Sequence, residues 1–211
     1  MICGCIDIGS NTTRLLVAEP SDGRLRELLR QRAFTRIAKG LSRDDKIPSK
    51  KIAEVVDVVG TQVRLARELG TETIRAVATA AIREASNQDE FTRAVAKGCG
   101  VEVEVLSDEE EARLAFVGAT SALDHAPDGD IAVIDVGGSS SEVAIGTISA
   151  GVRASSSFRI GSGFLADAYL HSDPPTIEEL QHVRSHVGGV FEGFSLPTPE
   201  LAVAVGGSLC R

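Results

Sequence analysis

Two short stretches of the sequence concentrate residue types suited to handling phosphate. The first, IDIGSNTTRLLVA from Ile6, holds Asp7, Gly9, Ser10, Asn11, Thr12 and Thr13. The second, IDVGGSSSEVAIG from Ile134, holds Asp135, Gly137, Gly138, Ser139, Ser140, Ser141 and Glu142. Set side by side, Asp7 meets Asp135, Gly9 meets Gly137, and Thr12 and Thr13 meet Ser140 and Ser141. Backbone N–H groups of a glycine loop can point at phosphate oxygens, hydroxyls add donors, and a missing Cβ lets the backbone come close. The aspartates are repelled by phosphate itself, so their natural task is to hold Mg2+ or its water shell. Either stretch alone also reads as a plain β-hairpin turn. The duplication is what points to a two-part phosphate clamp.

Such loops must be carried on strand ends, and the flanking pattern supplies them. From the start the chain reads strand, glycine loop, strand, a turn at Pro20 to Gly23, and a third strand. In SKKIAEVVDVVGTQVRLARELG the residues Ile52, Val55, Val56, Val59, Val63 and Ala66 share one helical face, and Gly70 sits where a C-terminal cap belongs. A short strand to Val77, a loop, and a helix begun by Ser86 or Asn87 follow. VEVEVL alternates as a strand, and SDEEEARLAFVGATSAL reads as a helix with Ser107 and Glu110 placed for a capping box. At Ala132 the pattern restarts with strand, loop, strand, third strand, a helix in TIEELQHVRSHVGGVFEGF and the strand LAVAVGG. The expectation is α/β, with an N-terminal lobe over 1–125 and a second lobe over 126–211 that stops before its last strand and helix.

Composition narrows the function. At 211 residues and 43% hydrophobic the chain can bury real cores. A net charge of −8 argues against a nucleic-acid or anionic-membrane surface built on bulk charge, and 4% aromatics without tryptophan argues against base stacking. A few arginines in a cleft can still hold a phosphate, because charge is screened over about 8 Å. Cys3, Cys5, Cys99 and Cys210 lack zinc-site spacing and read as reduced core thiols. Without a signal peptide pattern or a long apolar run, the expected location is the cytoplasm.

Five blocks in order along the chain carry a resemblance. They are IDIGSNTTRLLV, TRIAKGL from Thr35, ATAAIREASN from Ala78, LSDEEEARLAFVG from Leu106 and DVGGSSSE from Asp135, with AVGGS near the end as a weaker sixth. Together they resemble the exopolyphosphatase and guanosine pentaphosphate phosphohydrolase family, within the actin, sugar-kinase and heat-shock ATPase superfamily. The resemblance implies two ribonuclease-H-like lobes around a central cleft, where the terminal phosphoryl group of polyphosphate or pppGpp is hydrolysed with Mg2+. It places the residue that positions or deprotonates the attacking water at Glu111. Arg83 and Asn87 take the family's phosphate-facing pair, and Arg36 the arginine of its RLG.GL block. Asp135 and Glu142, with Asp7, fall on the metal side. Gly9, Ser10, Asn11, Thr12 and Gly137, Gly138, Ser139, Ser140 form the two cradles. Ser139 stands where relatives carry glycine, and a Cβ would strain a glycine-dependent conformation there. The alternative function is a non-catalytic module binding (p)ppGpp or polyphosphate; a homodimer is the expected assembly if apolar surface of the second lobe is left open.

Overall fold

Ile6, Ile8, Leu15 and Val17 alternate with more exposed neighbours and are fully buried on one face of the first sheet. The computed structural model describes residues 1–21, 23–40, 44–125 and 127–208. Cys210 and Ala126, the expected start of the second lobe, lie outside these residues. The first sheet comprises β1 (Cys3–Ile8), β2 (Thr13–Ser21), β3 (Arg24–Ala33), β4 (Thr73–Ala78) and β5 (Val103–Val105). Its order is β3-β2-β1-β4-β5, antiparallel through the hairpins and parallel from β1 onward. α1 (Ser49–Glu68) and α3 (Gln88–Cys99) pack with it around one core. α1 turns Ile52, Val55, Val59, Val63 and Ala66 inward, as its spacing predicts, while Val56 is only partly buried. Burying one such aliphatic side chain contributes roughly 1.5–3 kcal/mol. Gly70 has φ +75° just past the C-cap Leu69. α2 (Ala80–Arg83) is a single turn inside a segment that reads as loop, too short to show a period.

The second sheet repeats the opening of the first. β6 (Ile131–Val136), β7 (Ser141–Thr147), β8 (Gly151–Phe158) and β9 (Leu201–Val205) run in the order β8-β7-β6-β9, with β6–β9 parallel. α4 (Asp108–Ser121) lays Ala112, Phe116 and Ala119 against Ile131, Val133 and Ala144 of this sheet. The chain therefore divides into compact units Met1–Ser107 and Asp108–Arg211, earlier than the sequence boundary at 125/126. Apolar residues on α4 show that it covers a sheet; they do not say which one. α5 (Ser162–Tyr169) was not foreseen, and α6 (Ile177–Val190) was. Cys3, Cys5 and Cys99 are free, but only Cys99 is a core thiol and Cys5 is exposed. Among the described residues no helix is long and apolar enough to cross a membrane.

The start of α6 carries a full capping box. The Thr176 hydroxyl accepts from the Glu179 N–H at 3.2 Å, and the Thr176 N–H donates to the Glu179 carboxylate at 2.8 Å. The Ser172 hydroxyl and the backbone N–H groups of His171 and Ser172 donate to the same carboxylate. The Ser172 hydroxyl, then the Thr176 N–H, hold the Glu179 carboxyl down at about 2. A depressed carboxyl contributes stability above its ordinary 4.5, and that contribution is lost as pH falls toward about 2. Glu179→Ala is accordingly expected to lower Tm at neutral pH, with the gap from wild type closing as pH falls through that window. An equal gap in denaturant melts at both ends of the window would refute the assignment.

Candidate active site

The two glycine loops are superimposable in their hydrogen bonds as well as in sequence. The Gly9 N–H donates to the Thr12 carbonyl at 3.0 Å, and the Gly137 N–H donates to the Ser140 carbonyl at 3.0 Å. Each loop is then latched by the segment that follows its third strand. In the first unit the Arg36 N–H donates to the Asn11 carbonyl at 2.9 Å and the Ala38 N–H to the Ser10 carbonyl at 3.0 Å. In the second, the Gly161 N–H donates to the Ser139 carbonyl at 3.0 Å and the Gly163 N–H to the Gly138 carbonyl at 2.9 Å. A hydroxyl at the start of the second strand ties the same segment down: Thr13 to the Thr35 hydroxyl at 3.1 Å, Ser141 to the Ile160 carbonyl at 3.2 Å. The repeat is thus tertiary, which two unrelated hairpins would not share.

In the first unit Ser10 is buried, Thr12 half-buried and Asn11 exposed on the loop, and Arg36 is exposed beside it at φ 47°. Asp7 is the last-but-one residue of β1, opposite Arg14 across the hairpin. Arg83, at the end of α2, donates from Nη1 to the Leu106 carbonyl at 2.7 Å, next to the end of β5. Asn87 does not join the loop residues. Its Oδ1 accepts from the Ile47 N–H at 2.8 Å and its Nδ2 donates to the Ile47 carbonyl at 3.0 Å, so its amide clasps the segment before α1.

In the second unit Asp135 and Glu142 are direct cross-strand partners of β6 and β7, above the loop Gly137–Ser140. Glu142 is 4% exposed. Burial pushes its carboxyl up, hydrogen bonds from Ser140 and Ser157 oppose this, and the charges of Asp135 and Asp108 raise it further. Asp108 opens α4, and Glu111 stands one turn on, half-buried. Residues three apart are neighbours on a helix surface, so Glu111 lies beside Asp108 on α4, whose Ala112 and Phe116 pack on the sheet that carries Glu142. Glu110 is engaged elsewhere, accepting from both Nε and Nη2 of Arg113 at 2.9 and 2.7 Å. Ser139, the residue in the glycine position, does not have a positive φ. The need for glycine falls instead on Gly161, whose added Cβ would lie 2.5 Å from the Gly138 carbonyl oxygen. Gly206, at φ +93° after β9, has no room for a Cβ against the Asp135 carboxylate. The Ser162 hydroxyl links the Gly137 carbonyl to Ser208 nearby. Sequence reading missed Gly161, and it met Gly206 only in the weak AVGGS block; the two follow β8 and β9, at positions matching the exits of β3 and β4.

Among the described residues no three His, Cys, Asp or Glu side chains approach closely enough to hold a metal by themselves. Mg2+ does not need such a cage, since it is commonly held by one or two carboxylates with water and substrate phosphates. Asp135 with Glu142 beneath it fits that donor set, all hard oxygen.

A hairpin with a latched glycine loop, a third strand and a parallel fourth, built twice in one chain, is the ribonuclease-H-like, actin-like ATPase fold. Within it, the chain belongs to the Ppx/GppA phosphatase family, which it matches over residues 16–207. It is 33% identical over 188 residues to Exopolyphosphatase 2 of Mycobacterium tuberculosis, covering 85% of this chain and 58% of that protein. It is 29% identical over 210 residues to Exopolyphosphatase 1 of Mycobacterium leprae, covering 97% of this chain and 61% of that protein. The crystal structure of the Aquifex aeolicus Ppx/GppA family member superimposes with a TM-score of 0.81 at 32% identity, covering 99% of this chain and 67% of that one. The chain thus spans about three-fifths of the length of these curated relatives.

Proposed function

We propose that the chain belongs to a phosphohydrolase that releases the terminal phosphate of inorganic polyphosphate, with pppGpp as the second candidate substrate, through a water activated by Glu111. The curated relatives are named exopolyphosphatases, which favours polyphosphate. The observation that carries the reading is the doubled, latched glycine loop, with Glu111 in the first turn of the helix that packs on the second loop's sheet. In this scheme each unit's loop presents N–H groups and hydroxyls to phosphate oxygens, Ser10 and Thr12 in the first and Ser140 in the second, and in the first unit Arg36 and Arg83 offset phosphate charge. Glu111 accepts the proton of the attacking water. Asp135 and Glu142 would hold Mg2+, which would supply charge neutralisation to the phosphate.

The test is phosphate release from long-chain polyphosphate, pppGpp and ATP with Mg2+ or with a chelator. The expected result is release from polyphosphate, lost on chelation and dependent on chain length. Tight binding of polyphosphate or (p)ppGpp without turnover would instead identify a sensing module and overturn the hydrolytic reading.

A further inference from the structure

Arg36 and Asp45 are the non-glycine residues at positive φ among the described residues. An arginine at φ 47° sits in a region L residues visit rarely, and such outliers persist only where their surroundings hold them. What holds Arg36 is the peptide plane shared by the Thr35 carbonyl and the Arg36 N–H. A trans peptide is rigid, so fixing both of its polar ends fixes its orientation. The N–H end donates to the Asn11 carbonyl of the loop at 2.9 Å. The carbonyl end accepts from Nζ of Lys51, in the first turn of α1, at 2.9 Å. That ammonium is mostly shielded, with 21% of the side chain exposed, and is also paired with Glu54 at 2.6 Å.

A second anchor comes from the same helix. Gln62 is fully buried among the apolar residues of α1. Its Nε2 donates to the Thr13 carbonyl at 3.3 Å and to Oε1 of Gln31 at 2.6 Å, while its own Oε1 is buried without a partner. A core that retains a half-satisfied amide gains something from the satisfied half. Here that half fixes Thr13, whose hydroxyl meets Thr35. The second unit differs: there the latching residue is Gly161, not at positive φ, and the Ser141 hydroxyl donates to the carbonyl of its predecessor Ile160.

We infer that Lys51 is a positioning residue: by clamping the Thr35–Arg36 peptide it presents Arg36 beside the first phosphate loop, with Gln62 steadying the Thr13 side of the same loop. The inference rests on the phosphate-binding role proposed for Arg36. A double-mutant cycle on the full chain tests it, reading kcat/KM for polyphosphate, polyphosphate affinity by calorimetry, and Tm. Arg36→Ala removes a charge-assisted contact and should cost about 10- to 100-fold. Lys51→Met should cost about tenfold in the presence of Arg36, Lys51→Arg should recover most of it, and Lys51→Met should cost under about twofold in the Arg36→Ala background. The same cost in both backgrounds, or none with Arg36 present, overturns the inference, as does an Arg36→Ala protein that binds and turns over like wild type. If wild type binds polyphosphate without turnover, the hydrolytic reading falls and the cycle is decided on affinity alone. Should Lys51→Met fail to fold, Lys51→Gln replaces it in the cycle.

Discussion

Glu111→Gln is expected to lower kcat for phosphate release by about 10²- to 10⁴-fold, the range a general base supplies, while leaving KM and polyphosphate affinity near wild type. Glutamine keeps the length and hydrogen-bonding capacity of the side chain and removes only its ability to take a proton. The residue is half-buried in the first turn of α4, three residues on from Asp108, whose charge raises the Glu142 carboxyl. Its neighbour provides the control. Glu110 is spent on the exposed guanidinium of Arg113 three residues along the helix, a surface pair that contributes little, so Glu110→Gln should keep wild-type kcat. Single-turnover phosphate release separates the two variants from defects of product release. Equal kcat in wild type and Glu111→Gln, or an equal loss in both variants, would remove the role assigned to Glu111.

The elements with long regular patterns were legible in the sequence, and so was the repeat. Ile52, Val55, Val59 and Val63 announce α1, and the pairing of Asp7 and Gly9 with Asp135 and Gly137 announces the two loops. What escaped depends on partners far along the chain. Thr35 and Gly161 mean nothing locally; their roles appear only when β3 and β8 return to the loops that precede them. Asn87 matches a phosphate-facing position by type, yet Ile47 presents both a backbone N–H and a carbonyl to its amide, and that pairing takes it. Gln62 breaks the apolar stripe of α1, a signal visible in the sequence but without a meaning until Thr13 and Gln31 are seen beside it. α4 reads as a helix within the 1–125 lobe, yet it packs on the second sheet, because amphipathicity reports that a face is covered and not by what.

Gly161→Ala is expected to damage the second unit severely without touching an acidic residue. An added Cβ would overlap the carbonyl carbons of Gly138 and Ser139 and lie 2.5 Å from the Gly138 oxygen. All three are backbone atoms, so no rotamer change relieves the clash; either the loop or the segment after β8 must move. That movement breaks a cluster of bonds: Gly161 to Ser139, Ser162 to Gly137, and both Gly163 and Phe164 to Gly138. Overpacking costs typically about 1–3 kcal/mol, and each lost hydrogen bond adds roughly 0.5–1.5 kcal/mol. Against a total stability on the order of 5–15 kcal/mol, a Tm fall of about 5–10 °C is expected, together with loss of phosphate release, because the same bonds shape the cradle. Gly188 gives the matched control, a position in the last turn of α6 where an added Cβ meets nothing within 4 Å. Gly188→Ala should hold or raise Tm, since alanine favours the helix by about 0.5–1 kcal/mol. If Gly161→Ala melts and turns over like wild type, the latch does not shape the second loop. If both variants lose stability alike, the damage comes from adding a methyl group anywhere in this unit and not from the contact between Gly161 and the Gly138–Ser139 backbone.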